Sequence, residues 1–399
     1  MAECFSIPGR LGWHSSTPPS GLPARSPPLR GRWPAGQRGV KRAKAFILAA
    51  HILSSLPAAA QDTARIPADI GARVAEEYVI PSLAGFSSTA GELRNEMEAL
   101  CADPGQAALE EARTAFAATI KAWGAVSVLR FGPLVEENRF EHLFFWPDVR
   151  GVTLRQVQGV LAQKDEQAAL PDGLKQKSVA VQGLPALEFV LYGSGSEALA
   201  SGDESYRCRY GAAITANVAD RAGNIAAAWA PGAPFHTAFT QPAPDNAAYR
   251  SPDEVAGEVV KALGTALQFV RDAEILPALG DSIEKANGRR APFRRSDLSF
   301  EFIGSQAEGV IGLLRAAGFE TELDGNGRGI VNSLLFDLTH ARDAIAAVNA
   351  PAETAFAAEE DRSRISYAAV ALQGANRTLG EQLSAVIGLT MGFNALDGD

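Results

Sequence analysis

Apolar residues recur every three or four positions over most of this chain, while the alternating Val/Ile/Thr runs that make strands are scarce. Leu109, Ala112, Phe116, Ile120 and Trp123 form one stripe, and Tyr206, Tyr210, Ile214, Val218, Ile225 and Trp229 form a second. Val255, Val259, Leu263, Leu267 and Val270 make a third, after Ser251-Pro252-Asp253-Glu254, a favourable helix start. Similar spacing runs over 300–319, 330–348 and 353–389. Such stripes lie along one face of a helix, so the pattern predicts an all-α protein.

Breaks in the pattern set the expected organisation. Pro81 should kink or stop the first long helix. Ala102-Asp103-Pro104-Gly105 separates it from the next, and Asp324-Gly325-Asn326-Gly327 reads as a turn. The stretch 231–250 holds four prolines and is expected to be the longest non-helical connection, a domain crossover or lid. Helices on either side of one long connection predict two four-helix-bundle-like domains, 61–230 and 231–399.

The first 60 residues stand outside this pattern. Residues 1–39 are rich in Pro, Gly, Ser and Arg and read as disordered, or as lying upstream of a true start near Val40. Over 40–60 come Lys41, Arg42 and Lys44, a short apolar run 45–53, and a small-residue ending at Ala58-Ala59-Ala60. That is the layout of a secretory signal peptide, with cleavage expected after Ala60 and a periplasmic destination. The run is too short to span a bilayer and no second candidate follows, so the mature chain is expected to be soluble.

Removing the leader changes the charge. Residues 1–60 hold eight of the 37 basic residues and one of the 46 acidic ones, which leaves 29 basic against 45 acidic, near −16. A surface of that sign repels phosphate backbones and argues against nucleic-acid or anionic-membrane partners. Cys101 and Cys208 remain, and in an oxidising compartment an even count reads as one disulfide, two buried free thiols being the alternative.

Chemistry-bearing residues concentrate in two segments. Residues 132–151 mix Arg139, Glu141, His142, Asp148 and Arg150 with aromatics including Trp146, which precedes Pro147. They read either as ligands or as an Arg–carboxylate network pinning a turn under an aromatic cluster. Residues 182–193 place one carboxylate, Glu188, among Leu187, Phe189, Val190 and Leu191. A carboxylate in such surroundings must be paired, protonated or bound to a cation. Asp337, His340 and Asp343 could share a helix face, and His236 lies in the long connection, but each reads equally well as an ordinary surface or loop residue.

The second segment resembles the Gly-x-His-x-x-Glu signature of imelysin-like proteins, with Gly183 and Glu188 in its outer positions. Phe145-Trp146-Pro147-Asp148, Tyr206-Arg207-Cys208-Arg209-Tyr210 and the ending 392–399 are similar to the same group, and the resemblance spans 66–399. It implies paired four-helix bundles, a site between them, and association with bacterial iron uptake. It also implies a historical link to metallopeptidases, which rests on the His–Glu pair. Here the histidine position is Pro185, which has neither a ligand atom nor an acid–base group.

The expectation is therefore a non-enzymatic periplasmic component of iron uptake. Iron, or a small anionic chelate, would bind at Glu188, Glu141, His142 and Asp148, with Arg139, Arg150 and Trp146 alongside. The alternatives are a metal-dependent hydrolase that recruits His142 across space, and an envelope scaffold docking another protein.

Overall fold

The computed structural model describes residues 66–389; the expected leader and the 392–399 ending lie outside the described residues. Among the described residues there are helices and turns but no strand. The long helices are α1 (70–102), α2 (Gln106–Ser127), α3 (Val152–Gln163), α4 (Gly183–Tyr192), α5 (Ser205–Ala228), α6 (252–279), α7 (Ser299–Ala316), α8 (Gly325–Ala346) and α9 (359–386).

The stripes read from the sequence are the buried faces. Phe116, Ile120 and Trp123 of α2, Tyr210, Ile214 and Ile225 of α5, and Val255 and Val259 of α6 are all fully enclosed. Burial of one face per helix is what holds such elements together, at about 1.5–3 kcal/mol for each large apolar side chain. In the earlier part of the chain α1 packs on α2 and α5, and α4 packs on α5. In the later part α7 packs on α6 and α8, and α9 packs on α6 and α8. The two groups meet along α2 and α7. Gly124 allows that approach: a Cβ there would stand 2.6 Å from the Ser305 side chain.

Three boundaries differ from the sequence pattern. Pro81 does not end α1: the chain widens into a π-helical turn at Ala75–Val79 and continues as Ile80–Ala102, accommodating the missing proline N–H. The 231–250 connection is not wholly irregular, because Pro234 opens a short helix, Pro234–Thr240, that buries Phe239 against Phe131 and Trp229. Asp324 stands at the N-cap of α8, so residues 325–327 form the first helical turn and not a separate turn.

Cys101 and Cys208 form a disulfide with Cα atoms 5.5 Å apart, which removes the free-thiol alternative. It joins the last turn of α1 to the first turn of α5. No helix among the described residues is long and apolar enough to cross a membrane.

Candidate functional site

The two segments singled out in the sequence meet at a cavity of about 360 Å³. Its wall takes Phe144, Trp146 and Asp148 from the chain leading into α3, Pro185, Glu188 and Phe189 from α4, and Ala273 and Pro277 from α6. The loop between α6 and α7 closes it with Arg289, Arg290, Phe293, Arg294 and Arg295. Both helix groups thus contribute.

Why Glu188 sits here follows from its partners. It is 3 % exposed, and its Oε1 accepts from the Arg295 amide at 2.8 Å, the Ser296 amide at 3.0 Å and the Ser296 hydroxyl at 3.1 Å. Its Oε2 faces the Arg295 guanidinium at 3.6 Å. The loop needs such an anchor, because Phe293 and Asp297 both adopt left-handed backbone conformations. Burial raises the Glu188 pKa, against the pull of the Ser296 and Arg295 contacts. The carboxylate is therefore occupied in holding the arginine loop.

Asp148 is occupied as well. Its oxygens accept the amides of Val152 at 2.7 Å and Thr153 at 2.8 Å, capping the start of α3. Trp146 is held across the cavity by α6: its indole Nε1–H donates at 3.0 Å to the carbonyl of Ala273, which lies in the π-helical stretch Val270–Ile275.

The remaining expected site residues lie elsewhere. Arg139 donates to the Pro133 carbonyl at 2.8 Å and pairs with Glu136 and Glu137, pinning a turn through left-handed Glu137 and Asn138. Glu141 and Arg150 are exposed and outside the cavity wall. His142 is half-buried and also outside it; burial and Arg221 hold its pKa below the usual value. The His340 Nδ1 lies 2.9 Å from the Phe336 carbonyl and its ring packs on Phe336. Among the described residues, no three His, Cys, Asp or Glu side chains come together in a way that could hold a metal ion.

Gly183 explains the entry into α4. Its φ is +70°, and a Cβ would fall 2.5 Å from the carbonyl oxygens of both His142 and Leu143. Gly183→Ala is expected to lower the unfolding free energy by about 3 kcal/mol in a guanidinium titration, from backbone strain plus overpacking. A change below about 1 kcal/mol would mean that these two segments can part without cost. Pro185 is tolerated because it lies in the first turn of α4, where amides lack intrahelical partners.

A polar group lies buried behind the wall. In α6, just after a π-helical stretch begins at Val270, Glu274 is fully enclosed and accepts from the Gln306 side-chain amide at 3.2 Å. Its other oxygen has no partner. Burial pushes its pKa up to about 8, while Gln306 and Arg130 pull it back only partly. The Arg130 guanidinium stacks over Phe140 at 3.6 Å and Phe269 at 4.1 Å.

The arginine loop was not among the residues expected from sequence. Its signal is present as Arg289-Arg290-Ala291-Pro292-Phe293-Arg294-Arg295, a dense basic run in a chain whose acidic residues outnumber its basic ones.

Fold and cavity together define an all-helical protein with an arginine-rimmed pocket where two helix groups meet. The Imelysin family model matches residues 79–379, and the chain belongs to that family. It is similar in fold to an imelysin-like protein of Psychrobacter arcticum, with TM-score 0.69 and 19 % identity over 83 % of this chain and 99 % of that one. A Parabacteroides distasonis protein, provisionally named an iron-regulated protein A precursor, gives TM-score 0.65 and 12 % identity over 78 % of this chain and 93 % of its own. A search of curated proteins found no match.

Proposed function

We propose that this chain is an exported, non-enzymatic component of iron uptake, organised as bundles 61–230 and 231–399, that holds an iron-related ligand in the cavity between them. The observation that carries this reading is the meeting of Trp146, Asp148, Pro185 and Glu188 in one wall, because those residues also carry the family resemblance. Family membership and the name of the Parabacteroides neighbour support the link to iron. No histidine lines the cavity, and its two carboxylates already hold an arginine loop and a helix start, so a hydrolytic metal centre has no donor set there.

The test is calorimetric titration of the chain from Gln61 onward with ferrous chloride under anaerobic conditions, with ferric citrate and with citrate. Saturable binding of at least one probe is expected. Absence of binding in every arm would remove the reading. The N-terminal sequence of the exported chain checks the leader, with Gln61 expected as the first residue.

A further inference from the structure

The donor set of the cavity is wrong for a bare iron cation and suited to the opposite charge. We infer that the cavity takes a small polyanion bearing several carboxylates, gripped by Arg289, Arg290, Arg294 and Arg295, and that any iron arrives only within such an anion. This deepens the proposed function and rests on the cavity being its ligand site.

Four arginines and two carboxylate residues line the wall. A cation would have to compete at both carboxylates, since Asp148 accepts two backbone amides and Glu188 accepts three donors on one oxygen and faces Arg295 with the other. The arginines are less fully engaged. Arg294 pairs with Glu353, and Arg295 reaches Glu188 only at 3.6 Å while stacking over Phe189 at 5.4 Å. Arg289 and Arg290 are exposed, and no side-chain hydrogen bond or ion pair is seen for either among the described residues. Four like charges on one short loop repel one another, and an anion placed among them relieves that repulsion.

Geometry and surroundings add to the charge. Guanidinium groups bind carboxylates through paired parallel hydrogen bonds, so four arginines lining one cavity suit an anion with several carboxylates. Phe144, Trp146, Phe189 and Phe293 form the apolar part of the wall, which lowers the local dielectric and strengthens each contact. The acidic balance elsewhere in the chain makes this a local positive site and not part of a basic surface.

The experiment titrates the chain from Gln61 onward with citrate, ferric citrate, inorganic phosphate and, anaerobically, ferrous chloride, alongside the Arg289→Gln/Arg290→Gln double variant. Both side chains are exposed and make no side-chain hydrogen bond or ion pair among the described residues, so the variant is expected to fold as the parent does, checked by a thermal midpoint no lower than the parent's. Citrate is expected to bind without iron, and more tightly than phosphate. The double variant should weaken citrate at least about tenfold, and raising NaCl from about 50 to about 500 mM should weaken it further. Binding of ferrous ion alone, unaffected by the double variant, would overturn the inference and leave the proposed function standing. Citrate binding that ignores both the variant and salt would overturn it too. Silence in every arm would remove the cavity as a ligand site and the inference with it.

Discussion

Replacing Glu274 with glutamine is expected to make the protein more stable than the parent above about pH 8 and nearly equal to it near pH 5. The parent carboxyl has its pKa raised from 4.5 to about 8 in the folded state. Between those values the native protein holds a proton that the unfolded chain has released, so unfolding becomes easier as pH rises. Above the folded value both states are ionised and the loss levels off. A difference of about 3.5 units corresponds to about 5 kcal/mol across that window. Glutamine keeps an acceptor for Gln306 and never ionises, so its contribution stays flat. The measurement is the unfolding free energy of both proteins by guanidinium titration at several pH values from about 5 to about 9. Parallel curves would show that Glu274 ionises at an ordinary pH, through water reaching its unpartnered oxygen.

Loss of the Cys101–Cys208 bond is expected to cost up to about 4–5 kcal/mol, because its loop closes over 107 residues of separation and the unfolded chain gains that freedom back. The bond also ties α1 to α5, two helices that pack on each other, so its removal should loosen that pair first. A Cys101→Ser/Cys208→Ser variant and the parent under reductant should show the same drop in unfolding free energy by denaturant titration. A drop below about 1 kcal/mol would place the stability of the α1–α5 pair in its apolar contacts alone.

Helicity was legible in the sequence because it depends on local spacing. The Phe116-Ile120-Trp123 and Tyr210-Ile214 stripes are the buried faces of α2 and α5. The boundaries that differ from the sequence pattern share a cause: proline and glycine read locally as breaks, and here tertiary packing accommodates them. Pro81 follows a π-helical turn, Pro234 opens a helix, and Gly325 begins one.

The site was legible only in part, because its partners are distant in sequence. Glu188 was recognised as a carboxylate needing a partner, but the partners are Arg295 and Ser296, more than a hundred residues away. Asp148 looked like a ligand and proves to cap α3, since a cap and a ligand use the same oxygens. Arg139 looked like part of the site and pins its own turn. The arginine loop is not legible as a site from sequence, because a basic run ordinarily reads as a solvated face.

The indole bonded to the Ala273 carbonyl has a further use. Of the five tryptophans, Trp13 and Trp33 lie in residues 1–39, upstream of the expected signal peptide, while Trp123 and Trp229 are sealed in the interior and do not line the cavity. Trp146 alone of the remaining three borders the cavity. In the chain from Gln61 onward, occupancy of that space therefore falls on one chromophore out of three, so its emission spectrum can follow filling of the pocket without any attached dye.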